Sequence, residues 1–244
     1  MSEETFETWV QTHDQQAEDL TTDKNQLYTD LKAAYEKFDG KNNIEMLWRM
    51  SRGAYKAAAK AELSGNKTEQ KKILLEAEEW AKKTIELDAA HPEGHVWFAF
   101  VCAKLSELVG VKERIQRGKL VQSHLEEAIK LKPTDSGLYY TYGRWCMEVA
   151  KLSWVERKLA ATLFDTPPEA TYEDAIKQFK EAERVKPGWK ANLFFMGKSY
   201  EALKDYKEAI KCFDAAAQCE SQDEEDQCVE KDLLTMRNKY ASYR

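Results

Sequence analysis

The feature that most constrains this chain is a pair of segments in register 34 residues apart. Ala175, Phe179 and Ala182 recur as Ala209, Phe213 and Ala216, and Pro187 closes the earlier unit. Between Asn192 and Gln218, Leu193, Met196, Gly197 and Tyr200 precede that second triplet, giving small and aromatic residues at the spacing of two packed helices. Gly197 and Ala209 fall where the helices would cross, because only a small side chain leaves room for the partner backbone there. A matched period of this length means stacked helical hairpins, each unit burying its apolar face against the next.

The remaining chain fits that frame, which is the tetratricopeptide pattern. Ten glycines and five prolines in 244 residues, with 33% charged residues and little alternation of β-branched residues, exclude a strand-rich fold. The fold class is therefore all-α: a tetratricopeptide-like right-handed superhelix of antiparallel helix pairs, with two inter-helix insertions and a C-terminal capping helix. Residues 1–40 read as an acidic, partly loose helical segment, and residues 41–244 as the repeat domain. Within the first of these, Phe6, Trp9 and Val10 form the one compact apolar cluster of residues 1–25. A helix follows from Gln26 to Phe38, with Gly40 as its C-terminal cap.

Repeat one pairs Ile44–Leu63 with Glu69–Leu87, and repeat two opens at Glu93. The second helix of repeat two follows an insertion of about ten residues, Leu108 to Gly118. Repeat three opens after Asp135-Ser136, but its second helix starts only near Tyr172, after an insertion of about twenty residues. That insertion carries Trp154 to Phe164 at helical spacing. Its Trp154, Leu159, Leu163 and Phe164 require burial, and Thr166-Pro167-Pro168 forms a stop before a capping box at Thr171 and Asp174. Leu233, Leu234, Met236 and Tyr240 place a capping helix over residues 227–243.

Several function classes are excluded. Five cysteines with no Cys-x-x-Cys pair read as reduced packing residues, and His91 and His95, separated by Pro92, lack a third ligand. No phosphate loop, nucleophile elbow or His-Glu-x-x-His stands anywhere, so neither catalysis, a metal nor a cofactor is expected. Net charge is −6, and residues 1–45 carry eleven acids against four lysines, so the body is nearly balanced. Nucleic-acid binding needs a basic excess that this chain lacks. No apolar run is long enough to cross a bilayer, and the start, MSEETFETW, is acidic where a secretory leader is basic, so a cytosolic or nuclear chain is expected.

Four blocks point to a family: Leu47-Trp48-Arg49-Met50-Ser51-Arg52, Trp97-Phe98-Ala99, Gly143-Arg144-Trp145-Cys146, and the run from Phe164 through Thr166-Pro167-Pro168 to Tyr172. Over roughly residues 44–220 the chain resembles the regulator of microtubule dynamics protein family. The resemblance implies a non-enzymatic, microtubule-associated protein of the mitotic spindle and its poles, acting in chromosome segregation, whose partner is tubulin or a spindle adaptor. Some relatives carry an N-terminal membrane anchor and a repeat domain implicated in lipid binding; with no anchor expected from these residues, the resemblance points to the spindle-associated branch.

In stacked hairpins the first helix of each repeat lines the concave face. Its outward positions hold Arg49, Lys56, Val96, Phe100, Lys104, Tyr140, Arg144, Met147, Phe194 and Lys198, the candidate partner-binding residues. The basic ones would meet an acidic partner, with Arg49, Lys56, Arg144 and Lys198 forming a basic lining. Alternatively, Phe100, Tyr140, Met147 and Phe194 would hold a lipid or other hydrophobic ligand. A rival basic patch lies in the insertions: Lys112, Arg114, Arg117, Arg157 and Lys158. A chaperone-tail clamp is disfavoured because its Lys and Asn places hold Gly53, Gly137 and Thr141.

Overall fold

The structure is a computed structural model describing residues 5–19, 21–164, 168–222 and 224–244. Among the described residues it holds twelve α-helices, two 3-10 turns and no strand. Two compact units divide them, residues 1–108 and 109–244.

The first unit contains α1 (Phe6–Glu18), α2 (Lys24–Lys37), α3 (Ile44–Leu63), α4 (Lys67–Leu87) and α5 (Pro92–Ser106). Its centre is α3, which packs against α2, α4 and α5. That helix runs over the residues its spacing predicts, capped by the Asn43 side chain on the Met46 N–H. Met46, Met50, Ala54, Ala57 and Ala58 line a core with Leu31, Leu74, Ala77, Val101 and Leu105. Gly53 lets α2 approach, since a Cβ there would stand 2.7 Å from Leu31. Gly40 is not the cap of α2. Phe38 takes that place, Asp39 turns left-handed, and Gly40 is buried where a Cβ would meet Tyr35 at 2.6 Å and Met46 at 2.7 Å. The glycine answers a close approach rather than a helix stop.

The second unit contains α6 (Val111–Leu131), α7 (Ser136–Ala150), α8 (Trp154–Leu163), α9 (Tyr172–Val185), α10 (Lys190–Ala202), α11 (Tyr206–Gln218) and α12 (Glu224–Lys239). Both insertions are helical. The first extends the N-terminal end of α6, and the second forms α8, which packs on α6 and leaves α7 to pair with α9. The two hairpins α7–α9 and α10–α11 share one device. Phe179 fills the space a Cβ on Gly143 would need, at 2.6 Å, and Phe213 does the same for Gly197, where the Ala209 carbonyl also lies 3.2 Å away. The 34-residue register thus repeats an aromatic ring wedged against a glycine, both rings fully buried.

Two expectations fail in this unit. Trp154 is 68% exposed, whereas Leu159, Leu163 and Phe164 are half-buried and only Ala160 of α8 is fully buried. A ten-residue helix resting on one neighbour buries a single narrow stripe, and Trp154 lies off it. Leu234 is likewise 61% exposed; the buried stripe of α12 is Val229 and Leu233, continued by Tyr240. Thr166 and Pro167 of the expected rigid turn lie outside the described residues. The Thr171–Asp174 capping box beyond it is present in both directions.

Candidate functional site

The ten candidate concave residues fall into two sets. Arg49, Lys56, Val96, Phe100 and Lys104 belong to the first unit; Tyr140, Arg144, Met147, Phe194 and Lys198 belong to the second.

In the first unit the face of α3 opposite its core carries Arg49, Arg52 and Lys56, spaced as one helical stripe. Helix α1 lies on it. Asp14 accepts from Arg49 Nε at 3.0 and 3.1 Å and from Arg49 Nη2 at 2.8 Å, and Arg52 donates to the same carboxylate. Arg49 Nη1 also donates to the Glu45 backbone and side-chain oxygens, both at 2.7 Å. One turn on, Lys56 Nζ donates to the Ala17 carbonyl at 2.8 Å and meets Glu18 at 3.3 Å. A cation from α3 therefore satisfies a terminal carbonyl of α1 and complements its negative end. The Trp48 ring stands 4.0 Å from the Arg49 guanidinium and 5.0 Å from that of Arg52.

This packing leaves both arginine side chains only 8% exposed. Burial pushes the Asp14 carboxyl up, but the hydrogen bonds from Arg49 and Arg52 outweigh it and hold the group below its ordinary range. Beside it, His13 is buried and stacked on Trp9 at 4.9 Å. Desolvation, aided by the Arg52 charge, lowers its pKa to about 4. The other residues of this set have different surroundings. Lys104 meets Glu62 at 2.9 Å, Val96 is buried, and Phe100 joins a ring cluster with Tyr55 and Trp97.

In the second unit, Arg144 donates to Glu225 of α12 at 2.9 Å, with Tyr140 Oη on the same carboxylate oxygen at 2.8 Å. The guanidinium also stacks 3.8 Å from the Phe195 ring. Lys198 pairs with Glu201, whose carboxylate is also held by Lys239 at 3.0 Å and Tyr240 at 2.5 Å. Met147 and Lys198 border a cavity of about 430 Å³ that Phe195, Tyr206 and Tyr240 also line. Tyr140, Met147 and Phe194 are buried, Phe194 against Phe213, so their apolar surface goes into packing.

The rival patch is mostly consumed as well. Arg114 pairs with Glu156 across α6 and α8, and Arg117 meets Glu113 at 2.9 Å. Arg157 donates to the Leu152 and Ala150 carbonyls, and Lys158 sits 3.8 Å over the Trp154 ring. Lys112 lies on the exposed first turn of α6. Sequence reasoning missed Arg52, Asp14 and Glu225. Arg52 was within reach, because it continues the Arg49–Lys56 stripe, whereas the two acids are 35 and 81 residues from the arginines they hold.

The chain matches the family described as Regulator of microtubule dynamics protein 1-3 over residues 9–241. It belongs to that family. It is 38% identical over 183 residues to regulator of microtubule dynamics protein 3 of Xenopus laevis, covering 75% of this chain and 39% of that protein. Against regulator of microtubule dynamics protein 1 of Bos taurus it is 34% identical over 196 residues, 80% of this chain and 61% of the other. The chain thus spans less than two thirds of either relative. Among solved structures, a thermophilic tetratricopeptide protein of Thermus thermophilus superposes with a TM-score of 0.55, at 15% identity and over 90% of each chain. That likeness shows the tetratricopeptide fold alone. No helix among the described residues is long and apolar enough to cross a membrane.

Proposed function

We propose that this chain is a non-enzymatic interaction module of a microtubule regulator, acting at the mitotic spindle and its poles in chromosome segregation, and that it meets acidic segments of tubulin or of a spindle adaptor through its cationic faces. Family membership supports the microtubule role. The observation that carries the mode of contact is Asp14 clasped between Arg49 and Arg52, a carboxylate on a helix seated in a ready-made cationic cleft. A foreign carboxylate offers the same geometry and charge, and bidentate arginine contacts favour it over a neutral ligand. Arg144, held by Glu225 beside the Phe195 ring, repeats the chemistry on the second unit. The hydrophobic-ligand alternative draws on Phe100, Tyr140, Met147 and Phe194, of which the last three are already committed to packing.

Co-sedimentation of the purified chain with polymerised tubulin over a salt series tests the reading, with lipid extraction run in parallel. Binding that weakens steeply with salt, and weakens again when the acidic tubulin tails are removed by limited proteolysis, is the expected result. Salt-independent binding, or lipid extraction without co-sedimentation, overturns it.

A further inference from the structure

We infer that the Arg49–Arg52–Lys56 face of α3 is a receptor for an acidic amphipathic helix from a partner protein, and that α1 occupies it in cis as a displaceable mimic of that partner. The inference rests on the acidic-partner reading above and names its site and its regulation.

The receptor is built before any partner arrives. Arg49 is fixed by Glu45 and by the Trp48 ring, so its remaining N–H groups point outward as a fork, and Arg52 adds a second guanidinium one turn on. Lys56 closes the row where a bound helix would end, taking the terminal Ala17 carbonyl and the Glu18 carboxylate. What this row reads is defined by its present occupant. It wants a carboxylate at one position, a second four residues later, and a helix end beside the second.

Upstream, α1 offers Phe6 and Trp9, whose rings meet Phe38 at centroid distances of 5.8 and 6.1 Å. The recognised pattern is therefore apolar-x2-apolar-x4-acid-x3-acid along one helix, with Trp9 and the two carboxylates on opposite flanks of the buried His13–Ala17 stripe. Both aromatic residues are only partly buried against the core, and α1 packs mainly along α2. Its hold on the unit therefore rests on Asp14, on the small buried stripe of His13 and Ala17, on Lys56 and Lys24 at its C-terminal carbonyls, and on the half-buried rings. Such an element leaves more readily than one sunk in the core. A ligand of the same pattern competes with an intramolecular copy at high effective concentration, so the resting chain binds weakly and release of α1 raises affinity.

The test uses the full chain and a labelled peptide of residues 5–19. Asp14→Asn with Glu18→Gln loosens α1 through its charges; Trp9→Ala loosens it through its ring and leaves every charge in place. Binding followed by anisotropy should be weak for the unaltered chain and stronger by ~10-fold or more in both variants. Adding Arg52→Gln should remove the gain, and a peptide lacking the two carboxylates should not bind. Equal peptide binding by the unaltered chain and by both variants, with helicity intact, overturns the inference, as does a gain that survives Arg52→Gln. Concentration-dependent dimerisation of the loosened variants without peptide binding overturns it too, assigning the face to a second copy of this chain. Co-sedimentation with microtubules separates the two readings. A peptide gain without any microtubule binding keeps the receptor and removes tubulin as its ligand, whereas salt-sensitive microtubule binding without a peptide gain removes only the receptor.

Discussion

Helices α1 and α12 both lay acidic side chains on cationic faces, yet they are attached in different ways. The C-terminal helix is anchored along its length: Asp226 accepts from the Ala191 N–H at 2.8 Å, Glu230 pairs with the buried Lys190, and Val229 and Leu233 are in the core. Arg237 in its last turn and Arg244 beyond it meet Asp214 at 2.8 and 2.7 Å, and the Tyr240 ring stacks on Tyr206. Its Arg144–Glu225 pair is one contact among many. The N-terminal helix concentrates its charged contacts at the Asp14 cleft and at its C-terminal end, where Lys56 and Lys24 hold the Ala17 carbonyl, and its burial is limited to His13, Ala17 and partly buried rings. Where apolar burial holds an element, the ion pair is an accessory; where burial is thin, the ion pair decides whether the element stays.

The largest effect that tests this contrast is on α12. Leu233 is 2% exposed, and Leu233→Ala should cost about 2 to 5 kcal/mol, read as a lower denaturation midpoint. A loss below about 1 kcal/mol would mean that α12 is as detachable as α1. A comparable core defect, Ala209→Leu, overpacks the crossing under Gly197 and should cost about 1 to 3 kcal/mol.

On α1 the expected loss is smaller and differently distributed. Asp14→Ala strands two nearly buried guanidinium groups and should cost about 1 to 3 kcal/mol, appearing first as faster amide exchange across residues 6–18. Unchanged exchange there would show that the rings alone hold the helix. Acid should separate the two helices in order. His13 has a pKa of about 4 when docked against 6.5 when free, so protonation favours release, and stability is lost as pH falls from about 6.5 toward 4. Arg52, Asp14 and Arg49 are the charged groups facing that ring. For Asp214, hydrogen bonds from Arg244 and then Arg237 lower the pKa from 3.8 to about 2, so its contribution is intact above pH 3.8 and lost only toward pH 2. Exchange followed from pH 7 to 2 should show α1 opening before the end of α12; the reverse order would break the comparison.

Which parts of this were legible in the sequence follows the range of the forces involved. The bounds of α3, the capping box of α9 and the 34-residue register came from local spacing and local hydrogen bonds, and the structure has them. Local rules failed where a neighbour decided the outcome. Trp154 is apolar at helical spacing, but α6 takes only the Ala160 stripe of its helix. Gly40 looked like a helix stop and is instead the floor under Tyr35 and Met46. The cations of the candidate site were visible for the same local reason, being periodic on α3 and α7. Their acidic partners were not, because Asp14 and Glu225 reach them only through tertiary packing.

The smallest predicted effect bears on what the second ion pair does. Glu225→Gln removes the charge opposite Arg144 but keeps an oxygen that can accept from both Arg144 and Tyr140. The Arg144 and Glu225 side chains retain 23% and 21% of their exposure, so water shares the guanidinium, and the Phe195 ring stays beneath it. The stability change should be about 1 kcal/mol or less, with residues 224–239 as protected from exchange as before. The same exchange of charge for amide at Asp14, between guanidinium groups only 8% exposed, should cost more and open α1. If the two substitutions prove equal, the attachment of α1 and α12 does not differ in kind, and acidic helices would be displaceable at both ends of the chain or at neither.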